Sequence, residues 1–320
     1  MDYLTDCLNS IFKSTYLNYE VILVDNASTD RSIEVAQQRF GSNQRLKIVK
    51  NSKNLGLAGG YNSGLKVASG KYVAFLNVDV VVDKDWLNQP IRIMERNPDI
   101  GAVTCKLLYA DDTKCLQMIG FMMDHYGLGF KLGYLEEDLG QFDKIREVFS
   151  VDCAAFVARK KALDEVEGFD EDFFWYYEDC DLCWRMWTRG WRVVASPKSK
   201  VYHKEVSTRL DSKMYRALYF SRRNRIMMVL KNYSFRSIMM HFPKGLALMT
   251  FLSLFRLKGR LPFGLNPYAI TFFHALLWNM INLKKTLQKR RAVQNSRLVD
   301  DKTLMTKGVI TKFRLKGLHW

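Results

Sequence analysis

Apolar residues at Leu4, Cys7, Leu8, Ile11 and Phe12 recur at helical spacing, so residues 3–14 are predicted to form an amphipathic helix. The β-branched, apolar runs 19–24, 46–49 and 71–76 read as buried strands. Helical patterns follow at 32–40, 63–68 and 86–96. This alternation of strand, polar turn and helix predicts a doubly wound α/β layer. Further strands are expected at 100–108, 149–157 and 191–195, and a helix at 159–166. In the stretch from Trp175 to Arg185, helical spacing puts Glu178, Asp181 and Arg185 on one face, with Asp179 pointing elsewhere.

The pattern changes beyond residue 205. Residues 215–232 carry an apolar stripe through Ile226, Met227 and Leu230 beside Arg222, Arg223 and Arg225. Two apolar runs follow, at 245–255 and 268–283, both shorter than a membrane span needs. They are bordered by Arg256, Lys258 and Arg260, and by Lys284, Lys285, Lys289, Arg290 and Arg291. The formal charge of +16 sits almost entirely here. The chain therefore divides into residues 1–205, a near-neutral α/β domain, and 206–320, a basic helical region suited to an anionic membrane surface. An ordinary helical subdomain with a solvated basic edge is the plainer alternative. No recognised nucleic-acid module accompanies the charge, so nucleic acid is not expected as a partner. Six scattered cysteines, with no second C-x-x-C to join Cys180 and Cys183, read as reduced cytosolic thiols rather than a zinc site. Asp2 and Asp6 interrupt any signal-peptide pattern at the start.

Several residues are placed for chemistry. Asp25, Asn26, Ser28 and Asp30 lie in a turn between a buried strand and a helix, where open α/β sheets bind ligands; the same residues also suit a helix cap. Asn54, Gly56, Gly59, Gly60 and Asn62 form a glycine-rich stretch that suits the approach of an anion such as a diphosphate. It is neither a dinucleotide nor a Walker-type motif. Asp79 leaves the strand 71–76 at its carboxyl end, where a hard oxygen ligand suits Mg2+ or Mn2+. Asp179 has no in-helix cation, unlike Asp181 with Arg185, and is a candidate base. Trp175 and Tyr177 suit stacking on a sugar ring or simple packing, and Trp184 and Trp187 suit a core stripe.

Taken in order, Val24-Asp-Asn-Ala-Ser-Thr-Asp30, Asn54-Leu-Gly-Leu-Ala-Gly-Gly60, Leu76-Asn-Val-Asp79, Gly168-Phe-Asp-Glu-Asp-Phe-Phe174 and Tyr177-Glu-Asp-Cys-Asp-Leu-Cys-Trp-Arg185 resemble the family-2 glycosyltransferases of the rhamnosyltransferase-like branch, over roughly residues 3–232. The resemblance implies a GT-A fold that moves a sugar from a nucleotide sugar, a dTDP- or UDP-sugar, to an acceptor hydroxyl with inversion. It implies donor contacts from Asp25, Asn26, Ser28, Asp30, Asn54, Gly59, Gly60, Asn62 and Asn77. It implies a metal at Asp79, in a motif with Asn77 in place of the first Asp, completed by His203 if that histidine is more than structural. Asp179 of the Glu178–Asp179 pair then matches the general base. Trp175, Tyr177, Trp184 and Arg185 are assigned to a glycan or lipid-linked acceptor, with the protein peripheral on the cytoplasmic face of the membrane.

Family members begin with a strand and loop that precede the first helix, and this chain opens in that helix. The sheet is thus expected to lack its first strand, leaving strand edges and part of the donor pocket open. An upstream start or a truncated reading frame would explain this. A catalytically impaired relative, acting as a membrane-attached binding partner in glycan assembly, is the alternative function.

Overall fold

The computed structural model describes residues 2–204, 212–255 and 267–313. Its elements in chain order begin α1 (Asp2–Phe12), β1 (Val21–Asp25), α2 (Ser32–Phe40), β2 (Leu46–Lys50), α3 (Gly56–Val67), β3 (Tyr72–Leu76) and β4 (Val80–Val82). Next come α4 (Asn88–Arg96), β5 (Ile100–Tyr109), β6 (Leu116–Met118), β7 (Phe121–Asp124), β8 (Gly129–Lys131) and β9 (Arg146–Glu147). The first part closes with β10 (Ala155–Arg159), α5 (Lys160–Glu165), α6 (Glu178–Thr188) and β11 (Arg192–His203). The remainder is α7 (Ser212–Asn232), α8 (Phe235–Phe255), α9 (Pro267–Ile281), α10 (Leu283–Asn295), α11 (Asp301–Thr306) and β12 (Ile310–Thr311).

The chain forms two compact units. The first comprises Met1–Met122, Lys131–Phe174 and Glu178–Glu205; the second comprises Met123–Phe130, Trp175–Tyr177 and Val206–Trp320. Two short segments that the sequence division placed in the first domain therefore belong with the helical part. The expected boundary at 205/206 and the basic residues Arg256, Lys258 and Arg260 lie outside the described residues.

The first unit is built on a mixed sheet of order β3-β10-β5-β11-β4, with β6 on β5 and β9 on β11. Strand β5 lies between β10 and β11, and nine of its ten residues are buried, as a continuous apolar run requires when both faces are covered. Helices α1 and α4 contribute to the same core as β4, β5 and β11, through Cys7, Ile11, Trp86, Ile91, Met94, Val103 and Val194. β1 and β2 form a separate parallel pair. Each of β1 and β3 is hydrogen-bonded along one edge only, so the layer is broken between them.

Two expectations shift. Residues 149–154 are not strand; β10 begins at Ala155. Helix α3 begins at Gly56 rather than Ser63, so Gly59 and Gly60 lie inside a helix, not in a loop. Only glycine suits position 56: φ is +73°, and a Cβ there would meet the Phe174 carbonyl oxygen at 2.3 Å.

The second unit packs α7 against α9 and α10, with α8 against α9. A small sheet of order β12-β7-β8 completes it, Ile310 pairing with Met123.

Candidate active site

Strand register assembles one half of the site. β11 pairs antiparallel with β4, putting His203 opposite Val80 and beside Asp79. His203 Nε2 lies 3.3 Å from Asp79 Oδ1. β6, carried on β5, brings Gln117 to the other face of the ring, with Oε1 2.7 Å from Nδ1. Because that oxygen can only accept, Nδ1 carries the proton, and in the neutral ring Nε2 offers a lone pair. Asp79 Oδ1 is buried and has no hydrogen-bond partner. A carboxylate oxygen and an imidazole lone pair facing each other repel unless something positive lies between them. The pair therefore fits a divalent cation. No set of three or more His, Cys, Asp or Glu side chains able to hold a metal occurs among the described residues. Two protein ligands suit a cation that takes its remaining oxygens from water and phosphate.

The other half lies at the start of α6. Glu178 is 3% exposed and its Oε2 has no hydrogen-bond partner. Asp179 is half-buried; the amides of Cys180 and Cys153 donate to its two oxygens, at 2.7 and 3.4 Å. Burial raises both carboxyl pKa values above the ordinary range. The neighbouring Asp179 charge adds to the rise at Glu178, and the Asp152 charge adds to that at Asp179. Asp181 pairs with Arg185 as the helical spacing predicted, its Oδ2 2.8 Å from Arg185 Nε.

A hydrogen-bonded path joins the halves. The Tyr61 hydroxyl lies 2.6 Å from the Cys153 carbonyl and 2.8 Å from Asn77 Oδ1. The Cys153 amide contacts Asp179, and the Asn77 amide donates to the Ala154 carbonyl at 3.1 Å. Burial, then the charges of Cys153, Glu178, Asp152 and Asp79, push the Tyr61 phenol well up. Asp79 and Asp179, the candidate metal ligand and candidate base, are thus both connected to the edge where β3 ends and β10 begins. A surface hollow lined by Lys71, Arg159 and Lys160 lies at the opposite end of those two strands.

The candidate donor residues divide. Asp25 Oδ1 accepts from the Ser28 amide at 2.8 Å, and Asp30 Oδ1 from the Ser32 amide at 3.0 Å. The first folds the turn, while the second caps α2; the Ser32 contacts hold the Asp30 carboxyl below its usual range. The Asn26 side chain accepts from Asn51 and Leu55 and donates to Asn54 and Gly56. Its four hydrogen-bonding sites are all used, so it braces the loop rather than contacting a donor. Asn54 Oδ1 likewise accepts from Asn26 and the Gly56 amide. Asn62 is bound on both ends to Phe169 and also to Glu171. Gly60 makes room for Asn26, 3.3 Å from where a Cβ would stand, and Gly59 for Leu55. These corrections share one cause: polar side chains between closely packed turns satisfy one another. Among the described residues the Asn77 NH2 group has no hydrogen-bond partner, while its Oδ1 accepts from Tyr61.

On the acceptor side, Trp184 is fully buried, its ring edge-on to Phe149 at 5.6 Å. Arg185 is 8% exposed and is held by Asp181 and the Val166 carbonyl. Neither has a face left for a sugar, so both assignments are corrected. Trp175 and Tyr177 stay half-buried in the second unit, where Asn224 Nδ2 donates to the carbonyls of Trp175 and Tyr176 at 2.8 and 2.7 Å. Phe174, Tyr176 and Tyr177 all have φ between 60° and 70°, unusual for aromatic residues and fixed by these contacts. Sequence reasoning missed Tyr61, Gln117 and Asp152. Only Asp152 carried a signal, as an acid in an apolar run.

The sequence matches the description of glycosyl transferase family 2 over residues 1–166. The chain belongs to this family. The O-antigen biosynthesis protein RfbC of Myxococcus xanthus is 29% identical over 216 residues, which take in 65% of this chain and 17% of that protein. The chain therefore spans under a fifth of that relative's length. Its fold is that of GalNAc-T7, solved with UDP, GalNAc and Mn2+, at a TM-score of 0.60 and 14% identity over 88% of this chain and 55% of that one. TarS 1–349 of S. aureus, solved with UDP-GlcNAc, gives a TM-score of 0.56 at 17% identity over 92% of this chain and 80% of that one. The mixed sheet with flanking helices is a GT-A fold.

Proposed function

We propose that this glycosyltransferase is an inverting, metal-assisted enzyme that uses a UDP- or dTDP-sugar, rhamnose among the sugars considered. Its acceptor is a hydroxyl of a glycan or lipid-linked sugar at the cytoplasmic face of an anionic membrane. The reading is carried by the path Asp179–Cys153–Tyr61–Asn77, which ties the candidate base to the Asp79 turn. Asp79 and His203 would hold Mg2+ or Mn2+, which stabilises charge on the departing diphosphate when bound. UDP and Mn2+ in GalNAc-T7 and UDP-GlcNAc in TarS support this class of donor and cofactor.

Asp179 takes the proton of the acceptor hydroxyl as that oxygen attacks the anomeric carbon from the side opposite the leaving group. Its raised pKa makes it a stronger base than an ordinary carboxylate while leaving it ionised in mildly alkaline solution. The oxygen–anomeric carbon bond forms as the bond to the diphosphate breaks, which inverts the centre. Asp25 and the Asn77 amide group are kept for the donor. Trp175 and Tyr177, whose rings are half-buried, are kept for the acceptor sugar.

The break between β1 and β3 favours one competing reading, a nucleotide-silent relative that acts as a binding partner. Release of UDP from UDP-sugars in the presence of Mn2+ and glycan acceptors separates the two. Asp179→Asn is expected to cut turnover by at least 100-fold, the lower end of general-base contributions, with donor affinity kept. Wild-type turnover in that variant removes the base assignment.

A further inference from the structure

Helices α8 and α9 pack Phe242, Leu246, Met249, Phe272 and Leu276 on their inner side, and carry further apolar residues on the outside. The α9 residues that face the second unit's interior are Thr271, Phe272, Ala275 and Asn279. Two of these four are polar, and Asn279 donates to the Arg223 carbonyl at 3.0 Å. The α7 side of that interior holds Arg223, Asn224 and Arg225, all nearly fully buried, with the Arg223 guanidinium 4.4 Å from the centre of the Trp278 ring. The opposite face of α9 presents Phe273, then Leu277 four residues on, then Met280 and Ile281 three and four residues beyond Leu277, and the last two are each 72% exposed. Phe235, Met239 and Phe251 are exposed in the same way along α8. A water-soluble helix puts its apolar stripe inward and polar residues outward; a second apolar row on the outward face suits an apolar surrounding there.

Charge selects that surrounding. Between Lys213 and Val299 the sequence has seventeen Lys and Arg and no Asp or Glu. A second copy would bring the same cations to the contact and be repelled. Exposed Lys284 and Lys285 follow the apolar row of α9 directly, and Lys244 and Arg236 stand on the exposed side of α8. No helix among the described residues is long and apolar enough to cross a membrane. Apolar side chains beside lysines, on helices too short to span, fit a surface that lies in the headgroup layer of an anionic bilayer.

We infer that the exposed row Phe273–Leu277–Met280–Ile281 of α9 is a membrane-docking surface that enters an anionic bilayer from one side. This deepens the membrane-side reading above and rests on it only for where the acceptor lies. The test is flotation of the full chain with vesicles of phosphatidylcholine alone and of phosphatidylcholine with phosphatidylglycerol. The chain is expected to float with the anionic vesicles. Lys284→Glu with Lys285→Glu is expected to lower that partitioning ~10-fold or more. Leu277→Ser with Met280→Ser is expected to lower it ~10-fold, at high salt as well as low. Helical circular dichroism on each variant checks that the fold is kept.

A chain that stays unbound with both vesicles overturns the inference. So does binding that the serine pair leaves unchanged and salt abolishes, since that is adsorption of a polycation. Calorimetry with UDP and Mn2+ on the same sample separates the two readings. Nucleotide binding without flotation removes the surface and leaves the enzyme; flotation without nucleotide binding upholds the surface and removes the enzyme.

Discussion

A buried carboxyl group with an unbonded oxygen, next to a second acid, destabilises a fold. Glu178 is such a group, and its pKa lies above the ordinary range because of burial first and the Asp179 charge second. Between the ordinary carboxylate range and that raised value, the folded chain holds more protons than the unfolded chain. Stability therefore falls as pH rises through this window. Glu178→Gln is expected to remove much of that fall, gaining about 1 kcal/mol or more above the window while lowering activity. Urea midpoints measured across pH check this; an unchanged pH dependence contradicts it. Asp181 and Arg185 were legible in the sequence because their pairing is local, four residues apart on one helix. Asn26 and Asn62 were not. Their bonding capacity is taken up by residues between 25 and 109 positions away, which no local pattern reveals.

At the scale of elements, β1, β2, β3 and β5 could be read from apolar runs, whereas the short strands β4, β6, β7, β8 and β9 could not. Nor could register. The meeting of Asp79, His203 and Gln117 depends on β11 pairing with β4 and on β6 joining β5. Nothing near Gln117 in sequence marks it as the acceptor that fixes a histidine tautomer. Gln117→Leu removes that acceptor and frees the ring to turn. Mn2+ affinity, measured by calorimetry in the presence of UDP, is expected to fall ~10- to 100-fold. Wild-type affinity in the variant contradicts the role given to Gln117. The start of α3 shows another limit of pattern. Its three glycines suggested a loop, yet Gly56 is required by the Phe174 backbone and Gly60 by the Asn26 side chain.

At the scale of the whole molecule, the chain joins a near-neutral α/β unit to a helical unit in which cations are buried and apolar side chains exposed. The charge asymmetry was plain in the sequence, whereas the outward direction of the apolar rows was not, because periodicity says which residues share a face and not which way the face points. The catalytic account rests on the first unit, where Asp79 and Asp179 lie on one edge, linked through Tyr61. The most direct test is a calorimetric titration of the intact chain with UDP and with dTDP, with and without Mn2+, in the wild type, Asp79→Ala and Asp179→Asn. The account predicts Mn2+-dependent binding of UDP or dTDP in the wild type, its loss in Asp79→Ala and its retention in Asp179→Asn. Equal binding in all three regardless of Mn2+, or no binding of either UDP or dTDP by the wild type, would contradict it.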